Sequence, residues 1–214
     1  MSMSPVTTML RQALRLAAPC SRGVKRGLGA AAGNSRLRCV MINAGRLDFD
    51  GRINFDKLTA VADVTRFEVS DPSEVVERVA AADADIVLNK ELPLPGALIR
   101  ALPPSVKLIV EAGTGFNNID LDAARERGIG LCNVPNYATD AMAHMVITLV
   151  MALSCSLVPQ ARALATGDRA YMNQCHLGAL PHFELTGKTL GLIGGLGTIG
   201  QRTAFMARAL GMEV

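Results

Sequence analysis

The sequence predicts an α/β protein built on parallel sheets, and three observations carry that prediction. Short apolar runs recur between residues 39 and 133, each followed by a stretch with helical periodicity. A glycine-rich turn, Gly195-Leu196-Gly197-Thr198-Ile199-Gly200, follows another apolar run at residues 190–193 and opens a second periodic segment. Half of the 214 residues are hydrophobic, enough for a sizeable core. Alternation of strands with helices implies parallel pairing with right-handed crossovers.

Taken in order, residues 38–44 open the folded part, with Cys39-Val40-Met41-Ile42 as a buried strand. Residues 63–68 carry a second strand through Val64, Thr65 and Phe67. Residues 72–82 read as a helix with Pro72 in its first turn and Val75, Val76 and Val79 on one face. Residues 85–89 form a third strand. Residues 94–102 form a helix stopped by Pro103-Pro104. Residues 106–110 make a fourth strand, residues 120–127 a helix ended by Gly128, and residues 129–133 a fifth strand. Residues 138–157 are too long an apolar stretch for a strand. They predict a helix buried on most of its surface and ending near Pro159, with residues 161–167 extending the helical region.

Residues 190–193 have the length and flanks of a buried strand. After it, Ile199, Thr203, Met206 and Leu210 recur at helical spacing, and Gly211 supplies a stop. The chain therefore divides into residues 1–37, a first α/β domain at 38–134, and a linking helix with the opening of a second domain at 135–214.

Gly195, Gly197 and Gly200 have the spacing G-x-G-x-x-G. In a dinucleotide-binding turn the first glycine allows the tight bend, the second lets a pyrophosphate approach bare backbone, and the third lets helix and strand pack closely. The N–H groups of Thr198, Ile199 and Gly200 would face the phosphates, aided by the helix dipole. An ordinary glycine-rich turn is the alternative, since 20 residues of the chain are glycine. The strand before, the helix after and the terminal glycine favour the dinucleotide. The acidic residue that reads the ribose is expected about 20 residues further on. Only 14 residues follow Gly200, so NAD and NADP are not distinguished and an N-terminal fragment of a longer protein is expected.

In the first domain, two loops lie beyond strand ends, where ligands bind in open α/β sheets. They are Asn89-Lys90-Glu91 and Glu111-Ala112-Gly113-Thr114-Gly115-Phe116-Asn117-Asn118-Ile119-Asp120. The second offers N–H groups at Thr114 and Gly115 to an anion. A loop whose glycines serve only the turn is the alternative. Two sheets joined by a linking helix are expected to leave a cleft between them.

The charge is uneven. Residues 1–47 hold eight Arg and Lys and no acid, so the remainder carries 14 basic against 19 acidic residues. A nucleic-acid groove on the folded part is not expected. Leu10, Ala13, Leu14 and Ala17 share a helical face beside Arg11 and Arg15, the pattern of an organellar transit peptide, with the mitochondrion ahead of the plastid. A disordered basic tail is the alternative. No apolar run reaches the ~18 residues of a membrane span. The five cysteines are scattered, without C-x-x-C or H-x-x-x-H, so neither a disulfide framework nor a metal site is expected.

The motifs Glu111 to Asp120, Ala124-Arg125-Glu126-Arg127-Gly128-Ile129, Asn133-Val134-Pro135 and Glu184-Leu185-Thr186-Gly187-Lys188-Thr189-Leu190-Gly191, followed by the glycine fingerprint, resemble the D-isomer-specific 2-hydroxyacid dehydrogenases. Residues 137–147 look closest to the glycerate dehydrogenase and hydroxypyruvate reductase group. The resemblance implies a flavodoxin-like parallel-sheet substrate domain followed by the start of a Rossmann dinucleotide-binding domain. It implies hydride transfer between NAD or NADP and a small 2-keto or 2-hydroxy acid, and a homodimer at full length. It assigns Thr114 and Gly115 to the substrate carboxylate through their backbone amides, with Gly113 shaping the turn, and Lys90 on the other loop is a further substrate-binding candidate. Gly195, Leu196, Gly197, Thr198, Ile199 and Gly200 are assigned to the pyrophosphate. The family's catalytic Arg, Glu and His are expected beyond Val214. His144, His176 and His182 are not promoted to that role, and His144 is read as a packing or surface residue. The interval from Gly191 to the fingerprint is one residue longer than the family's usual run. A catalytically silent nucleotide sensor of the same fold is the alternative to an enzyme, and a truncated product without cofactor binding is a third reading.

Overall fold

Five parallel strands make one sheet in the order β2-β1-β3-β4-β5: β1 Leu37–Met41, β2 Ala62–Arg66, β3 Ile86–Asn89, β4 Leu108–Glu111 and β5 Gly130–Cys132. This is the flavodoxin-like order. The computed structural model describes residues 36–167 and 180–214. The basic helix expected near residues 9–17, Cys20, Cys175 and His176 lie outside the described residues. The described chain forms two units, one ending at Pro135 and the other beginning at Asn136.

The inner strands β1, β3 and β4 are largely buried on both faces, as parallel sheets are. Register places Val40 beside Val87 and Val87 beside Ile109. This row packs against α3 Val75–Ala81, α4 Gly96–Ala101 and α5 Leu121–Glu126 through Val75, Val79, Leu98, Ile99, Ala123 and Ala124. Truncating Ile109 to Ala costs about 2–5 kcal/mol at such a site. The alternating residues Cys39, Met41, Ile86, Leu88 and Val110 face the other way, toward α1 Ala44–Leu47 and α2 Asp56–Thr59. These two single-turn helices were not legible in the sequence, because four residues show no periodicity.

Helix starts follow local chemistry. Asp71 accepts the Ser73 N–H, and Glu74 accepts the Asp71 N–H in return. This capping box, with Pro72 following, forms a 3-10 turn that leads into α3. Asp120 Oδ1 accepts the Ala123 N–H and caps α5, and Gly128 ends it at φ +64°. α4 is shorter than the expected 94–102. Leu94 instead pairs in parallel with Ile119, its N–H and carbonyl taken by Asn118 and Asp120. At the other end of α4, Arg127 donates to the carbonyls of Arg100 and Leu102, satisfying groups a helix terminus leaves open.

In the second unit, the long apolar stretch differs from expectation in two ways. The helix α6 Thr139–Ser154 ends before Pro159, and Ser156 at φ +51° turns the chain by 64° into α7 Leu157–Ala165. Pro159 then occupies the first turn of α7, where a missing N–H costs nothing. Nor is α6 buried on most of its surface: Ala143, Ile147 and Ser154 are buried, while Met142, Met145, Leu149 and Leu153 are exposed. Its buried stripe meets α8 Thr198–Ala209 in a small cluster of Ile147, Ala207 and Met212. Among the described residues no single helix is long and apolar enough to cross a membrane.

The buried strand expected at residues 190–193 is not present. Thr189 pairs in parallel with Glu213, and Leu190 donates to the Glu213 carbonyl. Beyond Leu190 the described residues include no partner strand, and a lone strand cannot satisfy its own backbone. Residues 193–196 form turns, and Ile193 and Leu196 are fully exposed.

Candidate functional site

Each unit holds one of the two loops singled out by the sequence. In the first unit, three loops meet beyond the carboxyl ends of the adjacent strands β1, β3 and β4. The β1 loop supplies Asn43, whose Nδ2 donates to the Lys90 carbonyl at 2.8 Å. The β3 loop supplies Lys90 and Glu91, and the β4 loop supplies Gly113, Thr114 and Gly115.

A buried carboxylate ties these loops together. Asn89 and Glu111 end β3 and β4, pair in register, and are both fully buried. Glu111 Oε2 accepts Asn89 Nδ2 at 2.7 Å and Asn118 Nδ2 at 3.0 Å, while Oε1 accepts the Glu91 N–H at 3.0 Å. Burial of such a group is tolerable only with partners of this kind. The sequence reading assigned no role to Asn89, Glu111 or Asn118. The signal was there: polar residues directly end two otherwise apolar runs, a place where a strand would normally stay apolar.

The structure brings Lys90 and Gly113 together. A Cβ added at Gly113 would lie 3.4 Å from both Lys90 Nζ and Glu111 Oε1. Gly113 and Gly115 keep ordinary negative φ, so their value here is small size rather than left-handed backbone. Thr114 Oγ1 donates to the Val134 carbonyl at 3.0 Å, Asn133 Nδ2 donates to the Thr114 carbonyl, and Val134 donates to the Gly113 carbonyl. These bonds fix the loop from behind. The N–H groups of Thr114 and Gly115 have no partner among the described residues, and both residues are exposed. An anion held there would meet two free donors beside an ammonium group.

In the second unit, the glycine turn leads directly into α8, with Gly197 as N-cap. Gly200 is where close packing is required: a Cβ there would fall 2.5 Å from Gly195 Cα and 2.7 Å from the Gly194 carbonyl. The tight bend is made by Gly194, at φ +78°, and not by Gly195. Gly195 keeps its place for another reason, since a Cβ would press on Leu192 at 3.1 Å. The residue that lengthens the run from Gly191 is thus absorbed by a left-handed glycine. The N–H groups of Thr198, Ile199 and Gly200 have no partner among the described residues, and no side chain caps the helix. Three free donors at the N-terminus of a 12-residue helix fit a phosphate group, and the cradle at Gly197 and Gly200 has room for it only without side chains.

His144 and His182 are exposed. Among the described residues no group of three His, Cys, Asp or Glu could hold a metal ion. Cys39, Cys132 and Cys155 are free thiols. Burial pushes the Cys39 thiol up to about 12 and raises that of Cys132.

The family model for the D-isomer specific 2-hydroxyacid dehydrogenase catalytic domain matches residues 51–207. The chain belongs to this family. It is 36% identical over 143 residues to a glycerate dehydrogenase of Methylorubrum extorquens, covering 67% of this chain and 44% of that relative. It is 31% identical over 173 residues to a hydroxypyruvate reductase of Blautia hydrogenotrophica, covering 81% and 52%. Among solved structures, an NADPH-dependent glyoxylate/hydroxypyruvate reductase of Sinorhizobium meliloti in complex with citrate aligns with a TM-score of 0.64 and 26% identity. That alignment covers 83% of this chain and 52% of the other. The chain spans about half the length of these relatives.

Proposed function

We propose that the full-length protein is an oxidoreductase that transfers a hydride between NAD(P)H and a small 2-keto or 2-hydroxy acid of the hydroxypyruvate, glyoxylate or glycerate type. The observation that carries this reading is the pair of unpartnered N–H groups at Thr114 and Gly115, fixed from behind and set beside Lys90. A carboxylate is the ligand such donors suit. Family membership, and relatives described as glycerate dehydrogenase and hydroxypyruvate reductase, support the substrate class.

In this reading Thr114, Gly115 and Lys90 bind the carboxylate and so orient the neighbouring carbonyl. The free N–H groups of Thr198, Ile199 and Gly200 hold the cofactor pyrophosphate, with Gly195, Leu196 and Gly197 shaping the approach. A bound nicotinamide supplies or takes the hydride. The Arg, Glu and His that the resemblance implies would follow Val214, and the 214-residue chain by itself is expected to have no turnover. A homodimer at full length, and delivery to the mitochondrial matrix, or less favourably the plastid, by the basic N-terminal residues, belong to the same proposal.

The test is to incubate full-length protein with NADH or NADPH and hydroxypyruvate or glyoxylate, following loss of the reduced nicotinamide absorbance. Consumption dependent on the keto acid is expected. Tight cofactor binding with no turnover on any 2-keto acid would overturn the enzyme reading in favour of a catalytically silent nucleotide sensor.

A further inference from the structure

Lys90, one of the groups proposed above to bind the substrate carboxylate, already pairs with a carboxylate belonging to the chain. Glu91 Oε1 lies 2.7 Å from Lys90 Nζ, and its other oxygen lies 2.8 Å from Arg46 Nη2. Lys90 is mostly buried, with its side chain 13% exposed, so what shares its surroundings counts for more than on an open surface. Lys90 and Arg46 hold the Glu91 carboxyl below the ordinary range.

The backbone at Glu91 is also unusual. It has φ +62°, a left-handed conformation that a glutamate rarely adopts. Two things hold it there. Its N–H donates to the buried Glu111 carboxylate, and the preceding Lys90 carbonyl accepts from Asn43. Glu91 is a strained residue fixed on both sides, and its half-exposed carboxylate turns back onto the mostly buried ammonium of the loop.

We propose that Glu91 is an internal competitor for the substrate carboxylate, occupying Lys90 until an incoming 2-keto acid displaces it and thereby setting the affinity and anion selectivity of the subsite. This rests on the assignment of Thr114, Gly115 and Lys90 to a carboxylate. Displacement moves no covalent bond. Glu91 gives up Lys90 and keeps Arg46, whose side chain is exposed on α1. A small anion without the reach to contact both Lys90 and the Thr114–Gly115 donors gains too little to displace Glu91, and the subsite thereby rejects simple inorganic anions.

The test is a titration of the isotopically labelled 214-residue chain with glyoxylate, reading the Thr114 and Gly115 amide signals by NMR. Glu91→Gln keeps shape and removes the charge. Glu91→Gly removes the side chain and relieves the left-handed strain. Both are expected to bind glyoxylate about threefold to tenfold more tightly than the parent, and to gain a measurable response to chloride. Lys90→Met combined with Glu91→Gln is expected to lose that gain. Unchanged dispersion elsewhere in the spectrum shows that a variant is folded. Equal or weaker binding by both variants, with the parent still responding, would overturn the role of Glu91 and leave the loop assignment intact. No response at Thr114 and Gly115 in any variant would overturn the loop assignment and this inference with it.

Discussion

Asn89 and Glu111 end adjacent strands in register, and the Asn89 side-chain amide donates to the Glu111 carboxylate at 2.7 Å with both residues fully buried. This pair stitches the β3 and β4 loops together at the point where the candidate substrate groups emerge. Replacing Glu111 by Gln sets an amide among three N–H donors, leaving at least one contact repulsive or unmade. A loss of about 2–4 kcal/mol is expected, measured by chemical denaturation of the chain. A change below about 0.5 kcal/mol would show that the network is not holding the loops.

The cradle at Gly200 predicts a second outcome. An alanine Cβ there would collide with backbone at Gly195 and Gly194, neither of which can rotate away. Gly200→Ala is expected to cost about 1–3 kcal/mol by overpacking and to weaken dinucleotide binding in the full-length protein by more than tenfold. Gly197→Val leaves the turn nearly intact, since its Cβ would meet only the Gly194 carbonyl at 3.3 Å. It is expected to abolish cofactor binding by obstructing the phosphate. Calorimetric titration with NADH and NADPH separates the two, and unchanged affinity in Gly197→Val would refute the placement of the phosphate.

Cys39 predicts an alkaline instability. Its folded pKa, about 12, lies above the ordinary thiol value of 9.0 because burial opposes the thiolate. The folded state therefore holds its proton more tightly than the unfolded state. That stabilisation is complete below about pH 9 and is lost as pH rises toward 12. Cys39→Ala is expected to flatten the fall in denaturation midpoint above pH 9. In the native protein at neutral pH, iodoacetamide is expected to modify the Cys155 peptide well before the Cys39 peptide, as read by mass spectrometry.

Asp71 predicts the opposite dependence on the acid side. The Ser73 hydroxyl and backbone N–H both donate to its carboxylate and lower its pKa. Stability from this cap is present above the ordinary carboxyl pKa and fades as pH falls through the lowered one. Asp71→Ala is expected to lower the melting temperature at pH 7, with the difference from the parent shrinking below pH 4. A difference independent of pH would mean that the carboxylate charge plays no part in starting the helix.

Much of the first unit was readable before its coordinates. Its inner strands are mainly apolar and largely buried on both faces, so pattern alone marks them, and Pro72, Asp120 and Gly128 punctuate its helices through chemistry that acts over three or four residues. The glycine turn was readable for the same reason, although the bend belongs to Gly194 and not Gly195. Long-range pairing was not. Nothing local says that Asn89 meets Glu111, that Glu91 turns back onto Lys90, or that the apolar residues 191–193 are left without a partner strand. Likewise, apolar composition implied a buried helix at residues 138–157, whereas burial depends on which surfaces arrive from elsewhere in the chain.

The sequence by itself determined the family, the succession of the five strands and the helices that follow β2, β3 and β4, and the two loops proposed to carry ligand chemistry, because propensity, capping and backbone reach are set by neighbours along the chain. Only the tertiary structure decided which polar groups those loops share and which remain free. A hydrogen bond between residues 22 apart in sequence depends on strand register, and register is fixed when whole faces of the sheet are buried together.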